Sequence, residues 1–330
     1  MAYIGASLYF GDAFMEKRRI QLVAGSTYSV SLPKEWVIAN RLKEKNEVLI
    51  YERQDKTLVL SANPVEKMQM REIELNIDEH PQDIHQIIYA VYYLGIETIV
   101  LTSEKDLTKE VKTRIRKTLA RMAGTEINYE DKRKIVIKVL LDHSKVEIGQ
   151  ILYRLNLLIE FSLDNISSDP NLAENEFTEN EIDRLYHLLA KILSLSLIDS
   201  NILQTSGVKN VILIPSYFRI TKKLERIGDE LYRTCIQFRQ SKPDFKYKKE
   251  IMQFCKDSLS EAITHLVKNP QEKFERTTDQ QLAEIHTKLD ASKGKEFYPY
   301  IETVLRDIVD IQEEVTNITF YNMLIEQRRL

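Results

Sequence analysis

The chain is 330 residues long, 43% apolar and 29% charged, with only 9 glycines and 8 prolines. That length exceeds what one hydrophobic core usually serves, so a multidomain, mainly helical protein with few long loops is expected. A net charge of −3 and an isoelectric point near 6.2 exclude a global attraction to nucleic acid or anionic lipid, so any DNA contact has to be local.

Residues 15–63 read as a short β-rich module. Arg19 to Val23 alternates apolar and polar, Ala24-Gly25 breaks the pattern, and Thr27 to Leu32 alternates again, which predicts a hairpin. Pro33 suits the first turn of a short helix over 34–40, and 47–53 with 57–61 form a second hairpin turning at Gln54-Asp55-Lys56. A β-β-α-β-β unit of this size buries too little to stand alone, so pairing with a second copy is expected. Up to Asn63 the chain carries nine basic and seven acidic residues, leaving −5 to the remainder.

Residues 70–141 read as a small α/β domain. A strand over 71–77 is followed by a helix opened by Pro81 with Ile84, Ile87, Ile88, Val91 and Leu94 on one face, then a strand over 97–101. Thr108 caps the next helix, whose stripe is Val111, Ile115, Leu119 and Met122 and whose stop is Gly124; strands over 125–129 and 135–140 close the domain. From Ser144 every signal is helical, in runs near 145–167, 179–199, 215–240, 247–269, 275–291 and 297–326. Six helices in two groups of three, 144–241 and 246–326, predict tandem three-helix bundles.

The stretch from Lys17 to Trp36, with its Ser31-Leu32-Pro33-Lys34-Glu35-Trp36 run, and Lys45 to Ile50 resemble an AbrB/MazE-type swapped-hairpin domain. That resemblance implies an interleaved dimeric β barrel whose basic face binds DNA, with Lys17, Arg18, Arg19, Lys34 and Arg41 as the phosphate-contacting residues. Ser26-Thr27-Tyr28 stands where DNA-binding members commonly carry an arginine after the first glycine. The same charges also suit the solvated side of a domain that only dimerises. Trp36, the sole tryptophan, is expected to anchor the module's core.

In the helical half, Ile220, Leu224, Ile227, Leu231, Cys235 and Phe238 form one stripe, with Glu225 and Asp229 a turn apart beside it. Two carboxylates so spaced can share a cation, or can be flank charges paired with Lys222 and Arg233. The run Leu224-Glu225-Arg226-Ile227-Gly228-Asp229, with Arg219 and Glu181 to Tyr186 upstream, resembles PhoU proteins over residues 144–326. That likeness implies two three-helix bundles in which E-x-x-x-D pairs bind metal, such as a divalent, iron or zinc ion. In the second repeat Leu305 to Asp310 keeps the spacing and offers Asp310, but Arg306 stands where the glutamate would be. The whole chain is similar to archaeal PhoU-like regulators. This resemblance implies a phosphate-uptake regulator, homodimeric and DNA-binding, or alternatively an accessory protein docked on a phosphate transporter or sensor; a metal-binding bundle is a third reading.

Neither a phosphate-cradling glycine loop nor a catalytic His or Ser motif is present, so no enzyme activity is expected. The six histidines (His80, His85, His143, His187, His265, His286) are scattered without ligand spacing. Cys235 and Cys255 lack CxxC spacing and read as buried thiols of a reducing compartment. With no signal-peptide pattern before Phe14 and no apolar run long enough to span a bilayer, a cytoplasmic protein without membrane insertion is expected.

Overall fold

The structure, a computed structural model, describes residues 17–23, 25–52, 58–62 and 72–327. The chain divides into two compact units, 1–68 and 69–330. In the first, β1 (Gln21–Val23) pairs antiparallel with β2 (Thr27–Ser29), α1 spans Lys34–Ala39, and β3 (Leu49–Glu52) pairs antiparallel with β4 (Leu58–Ser61). Gly25, at φ +75°, lets the first hairpin turn. The expected turn at Gln54 to Lys56 lies outside the described residues. Among the described residues the two hairpins form separate two-stranded sheets and no closed barrel. Among the described residues of this unit, none is buried: Leu22, Tyr28, Val30 and Ile50 are exposed and Trp36 is only half-buried. Trp36, expected to anchor the module's core, is one of the partly covered residues of α1 in the single chain.

The second unit begins with β5 (Glu72–Asn76), α2 (Ile84–Tyr93), β6 (Thr98–Thr102), α3 (Lys109–Ala120), β7 (Thr125–Glu130) and β8 (Lys134–Val139). The strands form one sheet in the order β5-β6-β8-β7, parallel at β5/β6 and antiparallel elsewhere. Period-two alternation sends Ile99, Leu101, Ile135 and Ile137 to one face, where they pack on Ile88 and Val91 of α2 and Ile115 and Leu119 of α3. Thr108 caps α3 by accepting the Val111 N–H at 3.3 Å, and Gly124 follows at φ +73°. Leu94 departs from the expected stripe. The helix ends at Tyr93, so Leu94 sits exposed on the turn while Tyr92 is buried.

Helices α4 (Ile148–Ser167), α5 (Leu172–Ser196), the short α6 (Ser200–Thr205), α7 (Ile214–Ser241), α8 (Lys248–Lys268), α9 (Asp279–Asp290) and α10 (Tyr298–Gln327) follow. Caps explain several starts: Asn171 accepts the Ala173 amide, and Thr278 with Gln281 forms a capping box. The helices share one continuous apolar core running from Ile148 to Ile318. No helix of the described residues is long and apolar enough to cross a membrane.

Helix α7 is the centre of that core. Its stripe Ile220, Leu224, Ile227, Leu231 and Cys235 is fully buried, and Gly228 lies so close to α5 that a Cβ there would stand 2.9 Å from Ile182 Cδ1. Opposite, the fully buried carboxylate of Asp307 on α10 accepts from Arg226 and, at 2.9 Å, from Lys223. Lys223 also bonds Asp310. Removing one partner of such a pair strands a buried charge, although Lys223 remains and Arg226 is 39% exposed. Arg226→Ala is therefore expected to lower unfolding free energy by about 2 kcal/mol in urea denaturation, with Arg226→Lys recovering part of the loss.

Candidate functional site

The face of α5 turned toward the α/β domain carries Glu179, Asp183, His187, Lys191 and Leu195, one every four residues, so they form a single ridge. At its acidic end Arg121, at the C-cap of α3, reaches Asp183 at 3.0 Å and Glu179 at 3.9 Å. Asp229 of α7 joins these two, and ligand oxygens of Glu179, Asp183 and Asp229 lie within 4.8 Å of one another. Burial, reinforced by Glu179, Asp229 and Glu225 and opposed by Arg121, pushes the Asp183 carboxyl up to about 7. Burial likewise raises Glu179, Asp229 and Glu225 above the usual carboxylate range. Crowded carboxylates with raised affinity for protons are the electrostatic setting in which a cation is held.

The sequence-based candidates separate here. Asp229 enters the cluster. Glu225 stands beside it but is clamped by Lys222, which donates to both of its oxygens at 2.7 Å, as the flank-charge alternative anticipated. Arg233 bonds Glu230 at 2.8 Å, not Asp229. Asp310 is bound by Lys223 in the α7–α10 contact and is not part of the cluster. Glu179 and Asp183 went unrecognised as ligands, although they repeat the E-x-x-x-D spacing of Glu225 and Asp229. Arg121 gave no sequence signal at all. Three carboxylates without imidazole or thiolate fit a hard divalent cation better than zinc, with the Arg121 guanidinium competing for the same oxygens.

The middle and far end of the ridge are aromatic and cationic. The His187 ring stacks 4.0 Å from Tyr89 at 15°, and Tyr93 Oη lies 2.5 Å from its Nδ1. Burial holds His187 down at about 4 and raises the Tyr93 phenol, so a neutral imidazole and a neutral phenol share this hydrogen bond. Lys191 is fully buried; among the described residues its Nζ has no hydrogen-bond partner, and it sits 4.0 Å from the centroid of the Tyr92 ring. Burial lowers this amine to about 7, and it in turn helps burial hold His143 at about 4. Leu195 ends the ridge against Gly95, whose φ is +80° and where a Cβ would meet Leu195 Cδ2 at 2.8 Å.

In the N-terminal unit Lys17, Arg18, Arg19, Lys34 and Arg41 are all exposed, and Arg41 has a positive φ of 54°. Residues 21–67 match the family model of MazE, the bacterial antitoxin described by antidote-toxin recognition. The MazE-like segment thus begins at β1 and contains both hairpins and α1, including Lys34 and Arg41. No curated protein and no solved structure matches the chain.

Lys191 gives the seam a definite pH dependence. Its folded pKa of about 7 lies below its ordinary 10.5, so the folded chain loses stability as pH falls from 10.5 toward 7 and no further below. Lys191→Met is expected to raise stability at pH 7 by about 2 kcal/mol, less than the full shift because the Tyr92 ring already attracts the ammonium. The advantage should shrink as unfolding is repeated toward pH 10, and an advantage independent of pH would contradict a buried, unpaired amine.

Proposed function

We propose that the chain is a homodimeric DNA-binding regulator whose helical part receives a signal and which acts by binding, not catalysis. The observation that carries this reading is the N-terminal unit, whose described residues include none that is buried while Leu22, Tyr28, Val30 and Ile50 face solvent. Apolar surface on so small a module needs a partner, and a second copy supplies an identical one. The MazE-like match over 21–67 supports an interleaved dimer, and Lys17, Arg18, Arg19, Lys34 and Arg41 provide the cations that would contact phosphates.

The phosphate-uptake role rests on the resemblance of residues 144–326 to PhoU proteins, as does the grouping of the helices into two three-helix bundles at 144–241 and 246–326. In this reading the module at 15–63 dimerises and binds DNA in the cytoplasm, the α/β domain at 70–141 is docked on the ridge of α5, and the bundles meet the signalling partner.

Two further readings each have an observation of their own. MazE is described by antidote-toxin recognition, and α4 exposes Tyr153, Leu157 and Phe161 one turn apart, a row suited to docking on a transporter or sensor. The carboxylates Glu179, Asp183 and Asp229 would make the helical half a divalent-metal binder.

DNA binding separates the first two. Anisotropy of a labelled promoter fragment from a phosphate-uptake operon should show saturable binding with a steep salt slope. Arg18→Ala/Arg19→Ala should weaken it at least tenfold and flatten the slope by roughly 2 to 4, since each phosphate contact contributes about 0.9. Absence of binding at low salt would leave the module as a dimerisation device. Calorimetric titration with Mn2+ tests the third reading: uptake lost in Asp183→Asn/Asp229→Asn would support it.

A further inference from the structure

Around the C-terminal end of α7, the α7–α8 connection and the α4–α5 turn line a half-open cavity of about 320 Å3. The chain makes it by stopping α7 abruptly. Lys242 takes a left-handed conformation at φ 42°, Pro243 prevents the helix from continuing, and Phe245 folds back edge-to-face on Phe238 at 6.2 Å. The rings of Phe238 and Phe245 give the cavity an apolar side. Arg239, Lys242 and Lys248 give it three cations against the single carboxylate of Asp169, a local excess of +2 in a chain of net charge −3.

These cations are not explained by internal pairing. Among the described residues, Arg239 and Lys242 have no side-chain hydrogen bond or ion pair, and Lys248 Nζ reaches only the Ser168 carbonyl, at 3.4 Å. Arg239 and Lys242 at least complement the carbonyl end of α7. Lys248 does not, because it opens the 21-residue α8, where the helix dipole favours an anion and opposes a cation. Its ammonium is half-buried, 5.8 Å from the Phe238 ring centroid, and burial together with Lys249 lowers its pKa against only partial help from Asp169. An anion in the cavity would remove that conflict by neutralising Lys248.

We propose that this cavity binds a small organic anion, its phosphate or carboxylate group held by Arg239, Lys242 and Lys248 and its flat apolar body lying against Phe238 and Phe245. The volume, at the low end for ligand cavities, suits a molecule with one ring. The ligand bridges the α4–α5 turn to the α7–α8 connection and so ties together two hairpins of the helical core. The site stands independently of DNA binding by the N-terminal unit, and its test uses no DNA.

The test is calorimetric titration of the full chain with phenyl phosphate, benzoate and inorganic phosphate. Phenyl phosphate or benzoate should bind with a Kd below about 1 mM and at least tenfold tighter than inorganic phosphate, with whichever of the two is tighter naming the anionic group. Arg239→Ala/Lys248→Ala should weaken that binding at least tenfold while keeping the wild-type helical signal. If that variant fails to fold, Arg239→Gln/Lys242→Gln, at exposed positions, takes its place. No saturable binding of either aromatic anion, equal binding by wild type and variant, or inorganic phosphate binding as tightly as phenyl phosphate would each overturn the proposal.

Discussion

The contact on which residues 72–327 most depend is the clamp of Arg226 and Lys223 on the buried Asp307 carboxylate. A carboxylate so enclosed is tolerable only with cations at hand, and these cations sit on α7 between residues that serve other neighbours. Ile227 and Leu224 fill the core, Gly228 lets α5 approach, and Asp229 and Glu225 look toward the acidic end of the α5 ridge. Further along the same helix, Phe238 and Arg239 line the cavity. One helix therefore fixes the α10 contact, the carboxylate cluster and the cavity, so a change in its rotation would disturb all three.

The α5 ridge joins the α/β domain to the helices through groups that titrate. Arg121 meets carboxylates at one end, neutral His187 lies among tyrosines in the middle, and the Lys191 amine is buried over the Tyr92 ring at the other. Such a seam specifies one orientation through charge and hydrogen-bond matching while contributing less stability than apolar residues of equal volume. It also makes the contact sensitive to protons and to any cation that competes with Arg121.

Much of the second unit was legible in the sequence because its signals are local. Thr108 caps α3 and Gly124 stops it, the helical runs near 145–167 and 247–269 end where α4 and α8 end, and the stripe from Ile220 to Phe238 is buried as its period requires. What sequence alone missed is long-range. Arg121 meets Asp183 only because a sheet and a bundle dock, and Asp310 goes to Lys223 because α7 and α10 lie side by side. Glu179 and Asp183 had the right spacing but lay outside the motif that drew attention. Leu94 failed as a core position for a different reason: an apolar residue is buried only where its element has something to pack against, and α2 ends one residue before it.

That last point sets the account of the N-terminal unit. Its two hairpins and short helix form as the alternating pattern directs, yet they enclose no buried side chain among the described residues. The central claim, that a second copy completes this module, is tested most directly by the mass of the full chain in sedimentation equilibrium at about 10 μM, well above the Kd expected of an obligate dimer. The account predicts a species of twice 38.7 kDa that Leu22→Asp/Ile50→Asp converts to a folded monomer. A wild-type chain sedimenting at 38.7 kDa, or a dimer indifferent to both aspartates, would contradict it.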